Sequence, residues 1–352
     1  MTRPVIRLAR PLLDDAERRA CAAVLATGML VQGEQVAAFE AQLATLSERP
    51  YAIACSSGTT ALELALEALE VRGGEMLCPA LTWPSPAHAI VRAGARPVLV
   101  DVGPTWNATA GALAAARTER TRAAIVIDQF GMPAEHPAIA AALGDLPIVV
   151  DAACSLGASI GGRPSTAYGR IACTSFHPRK VVTTGEGGAC FTSDTDLAAR
   201  LRRLRNHGQQ AAGVFVEPGP NARLTELQAA MGIVQLTKLA TMVERRRALA
   251  ARYQSSLAGR FELQEVTASA EPNWQTFGVV LDTSAGRDAL LARLAERGVE
   301  GGKLSYALSL LPSLAPFARP CPNAERIAAC GLALPLHPAL TDEEQDRVLE
   351  AL

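Results

Sequence analysis

The sequence predicts an α/β protein, with a large domain built on a mainly parallel sheet and a smaller C-terminal α/β domain. Three observations carry this. From Tyr51 to Asp194, short apolar runs alternate with helical stretches. The runs are near-continuous Val, Ile and Ala, the pattern of strands buried on both faces. A long helical pattern after "EPGPN" then separates this region from a shorter mixed tail. A chain of 352 residues has room for both units. The division falls at 1–238 and 239–352, with the N-terminal segment packing near the smaller unit.

The N-terminus, "MTRPVIRLARPLLDD", is broken by prolines and charges and lacks a secretory apolar core. The strands follow in order: "YAIAC", "EMLCPAL", "RPVLVDV", "AAIVIDQF", "PIVVDAA", "IACTSFH" and "GACFTSD". "TTALELALEAL" and "SPAHAIVRAG" are the first two intervening helices. Thr225 and Gln228 have the spacing of a capping box, and Leu224, Leu227, Met231 and Val234 share one face of the long helix they open. The tail contains the strand "FGVVLD" and closes on the helix "LTDEEQDRVLEAL".

Composition narrows the function. Apolar residues make up 49% and aromatics 4%, an ordinary globular balance rich in helix formers. With 34 basic and 35 acidic residues, the chain lacks the electrostatic footprint of a nucleic-acid binder. No run approaches the roughly 18 apolar residues of a membrane span. The eight cysteines form no CxxC pair and no metal-ligand spacing. These features lead us to expect a cytoplasmic protein with reduced thiols and no metal, nucleic-acid or membrane partner.

Open α/β sheets bind ligands at the carboxyl ends of their strands, and the polar residues predicted there form a coherent group. "CSSGTT" joins a strand to a helix, where Ser57, Gly58 and Thr59 expose amides suited to an anion; a merely capped helix is the alternative. Asp151 closes a buried strand and needs a partner, unless it caps the next turn. Trp83 offers a flat stacking surface, or else belongs to the core. Lys180 lies between an apolar strand and the turn "GEGG", where glycines allow a close backbone approach. A lysine, an aspartate, an anion-binding helix start and an aromatic plate are together the parts of a pyridoxal phosphate site.

On these residues the sequence resembles the DegT/DnrJ/EryC1/StrS family of pyridoxal phosphate-dependent sugar aminotransferases. "SFHPRKVVTTGEGG" is similar to that family's lysine motif. "SSGTTALELAL", "VVDAACSLGA", "LRNHG", "NARLTELQAAMGIVQL" and "LPLHPALTDEE" match further blocks in order. The resemblance implies fold type I, the aspartate-aminotransferase-like fold, and a homodimer with shared active sites. It makes Lys180 the Schiff-base lysine and proton carrier, Asp151 the partner of the pyridine nitrogen, and Trp83 the stacking ring. It assigns Gly58, Thr59 and Ser175, beside Ser57, to the phosphate, with Asn221 reaching it from the neighbouring subunit. A branch that removes a sugar hydroxyl has histidine in place of this lysine, so Lys180 favours transamination.

Three departures stand out. Cys154 replaces a histidine or glutamine near the cofactor's 3-hydroxyl, and "DQFG" replaces His-Leu-Tyr-Gly. The stretch from His207 to Asn221 is short, with Ala222 where an aromatic is common. The expected reaction moves an amino group from L-glutamate, or L-glutamine, to a nucleotide-linked keto-deoxysugar. A keto-cyclitol or other ring ketone without a nucleotide is the alternative, and a non-catalytic, cofactor-binding regulator is the reading from another class. Candidates for the acceptor pocket are His207, Trp106 and His337; His207 is equally suited to bonding its own turn.

Overall fold

The computed structural model describes residues 4–352. Seven strands form the main sheet: β1 (Tyr51–Cys55), β2 (Glu75–Pro79), β3 (Arg96–Val100), β4 (Thr121–Ile127), β5 (Ile148–Asp151), β6 (Ile171–Ser175) and β7 (Gly188–Thr192). They lie in the order β1-β7-β6-β5-β4-β2-β3. Neighbours from β6 to β3 are parallel, whereas β7 runs antiparallel to both β6 and β1. Six strands therefore end on one edge, and β7 begins there.

Alternation along each strand explains the near-continuous apolar runs. In β1, Ile53 and Cys55 face a core shared with the Gly58–Ala68 and Ser85–Arg92 helices, while Ala52 and Ala54 face a core shared with the Glu34–Leu46 helix. Helices on both faces leave no solvated side, so polar alternation is absent.

The register brings distant segments together at the carboxyl edge. Ile127 pairs with Asp151, Asp151 with Cys173, and Gly188 with both Cys55 and Ser175. The loops after β1, β4, β5 and β6 consequently converge.

The Glu226–Leu257 helix is 32 residues long and starts at the capping box, where the amide of Gln228 donates to Thr225 Oγ1 and that of Thr225 to Gln228 Oε1. Its Leu239, Met242 and Val243 pack under the main sheet, and Leu249, Ala250, Tyr253 and Leu257 pack in a separate core. Ile6 lies in that separate core. A smaller antiparallel sheet covers it, ordered Glu262–Leu263, Phe277–Val280, Gly331–Leu334, Gly302–Lys303. Among the described residues, no helix is long and apolar enough to cross a membrane.

Candidate active site

The carboxyl edge is built from the outside strand inward. Ser57 caps the Gly58–Ala68 helix, its Oγ accepting from the amide of Thr60 at 3.1 Å. The amides of Gly58 and Thr59 precede that bond and have no intrahelical acceptor. Gly58 is required by proximity: a Cβ there would lie 2.6 Å from Cβ of Ser175. The helix start is thus pressed against the end of β6, and Gly188 allows the same close approach to the Ser57 carbonyl. Thr59 Oγ1 donates to Ser85 Oγ at 3.0 Å.

Lys180 lies in the turn after β6, its amide bonded to the His177 carbonyl at 2.8 Å. Its ammonium donates to Cys154 Sγ at 3.1 Å. Cys154 belongs to the loop after β5, whose last residue is Asp151. One oxygen of Asp151 accepts from the amide of Ala153. Burial pushes the Asp151 carboxyl up from 3.8 to about 6, against the lowering effects of the Ala153 bond and of Lys180, and with a further raising effect from Asp128. A buried carboxylate with so little compensation needs a cationic partner.

Trp83 is 61% exposed and meets Tyr306 edge-on, with ring centroids 5.4 Å apart. The core reading of this tryptophan is excluded. Its loop is held by the pairing of Thr82 with Tyr306. Asn221 is exposed and bridges to Asn206, while Ala222 accepts from the Ser56 amide, so this segment runs beside the helix start.

Two of the three acceptor-pocket candidates are corrected by their burial. Trp106 is 1% exposed and sealed in the core against Phe130, with no face left for a ligand. His337 is 3% exposed in the smaller unit. Burial, aided by the Arg246 cation, lowers its pKa from 6.5 to about 4, so the ring is neutral. His207 is exposed, with φ 59, and its amide donates to the Pro220 carbonyl at 3.0 Å. That placement fits the turn-bonding role.

The His337 shift has a measurable consequence. Below pH 6.5 the unfolded chain takes up a proton that the folded ring refuses until about pH 4. Stability therefore falls as pH drops through that window, by on the order of 2–3 kcal/mol. His337→Leu is expected to flatten this part of the pH–stability curve in urea titrations.

Sequence reasoning missed residues behind this edge. Asp128 is fully buried, accepting from the Ala134 amide at 2.8 Å and the Ser155 hydroxyl at 2.6 Å, with His136 Nε2 at 2.9 Å. The substituted "DQFG" was the available signal. Asn273, Gln275 and Tyr306 carried none. Among the described residues, no group of His, Cys, Asp and Glu is placed to hold a metal ion.

The profile of the DegT/DnrJ/EryC1/StrS aminotransferase family matches residues 11–352. The chain belongs to that family. This aminotransferase is 34% identical to GDP-perosamine synthase of Caulobacter vibrioides, over 99% of this chain and 98% of that one. DesV of S. venezuelae, solved in complex with a ketimine intermediate, superposes with a TM-score of 0.94 at 33% identity, covering 99% and 98% of the two chains. The sugar aminotransferase Spr1654 of Streptococcus pneumoniae, described as putative and solved in its PLP form, gives 0.94 at 26% identity, covering 98% and 97%. The aminotransferase thus has the fold expected from its motifs.

The residues present fit pyridoxal phosphate. Asp151 is a buried carboxylate lacking a full counter-charge, and the glycine-tight junction of Gly58 with Ser175 leaves free amides at a helix start.

Proposed function

We propose that this aminotransferase uses pyridoxal phosphate to move an amino group from L-glutamate to a nucleotide-linked keto-deoxysugar. The observation that carries the reading is the placement of Lys180 against Cys154, in the loop that follows Asp151, on the edge where Gly58 meets Ser175. The bound cofactor supplies an electron sink for the carbanion formed at the substrate carbon. Asp151 supplies the anion that keeps a pyridinium charged. The Gly58 and Thr59 amides, with the Ser57 and Ser175 hydroxyls, take the phosphate. Trp83 supplies a ring face, and Cys154 stands beside the lysine. Lys180 Nζ, as free amine, takes a proton from the substrate carbon and returns it one position away.

The nucleotide-sugar class is supported by the relative named for GDP-perosamine and by ColD, a dehydratase mutant solved with bound GDP-perosamine at 26% identity and a TM-score of 0.93. A homodimer is supported by the apolar side chains of Met29, Val31, Val214 and Phe215, which a single chain leaves exposed. The short hairpin of Gln209–Ala211 and Val214–Phe215 favours a second reading, a ring ketone carrying no nucleotide.

Visible absorption with and without L-glutamate tests the cofactor and donor. A band that glutamate converts to the amine form of the cofactor is the expected result. A protein that takes up no pyridoxal phosphate overturns the proposal. Competition by GDP and dTDP in the acceptor half-reaction then separates the two acceptor classes, since only a nucleotide-linked acceptor competes.

A further inference from the structure

Lys180 and Cys154 sit on different loops, and neither loop fixes their separation alone. Three loops leave the carboxyl edge here: Asp128–Gly131 after β4, Ala152–Leu156 after β5, and Phe176–Lys180 after β6. A short segment of the smaller unit, Asn273 to Thr276, bonds all three. Asn273 Nδ2 donates to the carbonyls of Cys154 and Leu156 at 2.9 and 2.8 Å. The Asn273 and Thr276 amides donate to the carbonyls of Gly131 and Phe130 at 3.2 and 3.3 Å. Gln275 Nε2 donates to the carbonyl of Arg179, the residue before Lys180, at 2.7 Å.

The segment is itself tightly held. Asn273 is fully buried, and its Oδ1 accepts from the Gln275 amide at 2.9 Å, so its side chain is satisfied at both ends. Gly131, with φ 87, is the only residue type its site tolerates, because a Cβ would collide with Asn273 Oδ1. From behind, the buried guanidinium of Arg246 reaches the carbonyls of Trp274 and Gln275 at 3.2 and 3.1 Å. Trp274 is thereby kept in left-handed backbone, φ 52.

We infer that Asn273 and Gln275 are positioning residues which clasp the Cys154 and Lys180 loops together and set the distance between that thiol and that amine. Neither touches the reacting atoms. Asn273 acts through the Cys154 carbonyl, and Gln275 through the Arg179 carbonyl. The inference rests on Lys180 being the cofactor lysine for its functional meaning, though not for its geometry.

Gln275→Met is the first test, because it keeps the length of a half-buried side chain and removes the one donor aimed at Arg179. Asn273→Asp removes both donors aimed at the Cys154 loop. Two readouts apply to the full-length protein, with and without added pyridoxal phosphate. One is the rate of Cys154 alkylation by iodoacetamide, followed by peptide mass; Cys21, the other cysteine that is not buried, is the internal control. The second is the dissociation constant for pyridoxal phosphate by absorbance.

In Gln275→Met we expect Cys154 to react faster, and the cofactor to bind more weakly, each by about threefold to tenfold, the worth of one hydrogen bond. Cys21 reactivity and the thermal midpoint should stay at wild-type values. A Cys154 rate equal to wild type in Gln275→Met overturns the clasp, whether or not the protein binds the cofactor. A wild-type protein that binds no pyridoxal phosphate instead sinks the cofactor reading, and the alkylation rates still decide the clasp.

Discussion

Lys180→Ala is expected to fold normally and to lose turnover by roughly 10³-fold or more, the range spanned by a lost proton carrier and a lost covalent anchor. The side chain is half-buried and bonded to Cys154 Sγ, outside the three packed cores, so stability should change by no more than about 0.5 kcal/mol. Lys180→Arg should fail as badly. Arginine keeps the positive charge but cannot give up its proton at neutral pH, and loss of that proton is what the role demands. The check is single-turnover kinetics with L-glutamate, together with the visible spectrum. If Lys180→Ala kept wild-type kcat, the assignment of the lysine would be wrong.

Asp151→Asn should part stability from activity. The folded carboxyl holds its proton up to about pH 6, whereas the unfolded one ionises near 3.8. Across that window the unfolded state gives up a proton that the folded state keeps, so stability falls as pH rises and stays lower above pH 6. The asparagine variant cannot ionise. Without cofactor it should be more stable than wild type at pH 7–8 by about 2–3 kcal/mol, and should converge on wild type below pH 4. Its affinity for pyridoxal phosphate and its turnover should both collapse, because the pyridinium loses its counter-ion. Urea denaturation at pH 4 and pH 8 reads the first effect, and absorbance titration reads the second. Equal stability of the two proteins at pH 8 would show that the carboxylate is not strained by burial.

The strands were legible because a strand buried on both faces writes its own composition into consecutive residues. "PIVVD" and "IACTS" needed no partner to be read, and the residues at their ends, Asp151 and Ser175, came with them. Lys180 was legible because the glycines that allow the close approach sit beside it in the chain. Trp106 and His337 were misplaced because a lone large side chain next to a turn has the same local signature whether it points inward or outward. The contacts of Asn273 and Gln275 could not be seen in the chain. Asn273 meets Cys154 across 119 residues, and Gln275 meets Arg179 across 96. No local period encodes a hydrogen bond to a carbonyl.

The Glu226–Leu257 helix also limits how the molecule can move. At 1.5 Å per residue it is a rod about 48 Å long, its Leu239–Val243 stretch under the main sheet and its Leu249–Leu257 end in the separate core. Its N-terminal Glu226 is locked in place, accepting from the amides of Gly33, Gln35 and Val36. A rod clamped at both ends acts as a strut. Tilting it by about 5° about its middle would carry each end about 2 Å, enough to break hydrogen bonds of ordinary length. Any swing of the C-terminal sheet against the main one would therefore have to bend this helix or break the bonds that hold Glu226.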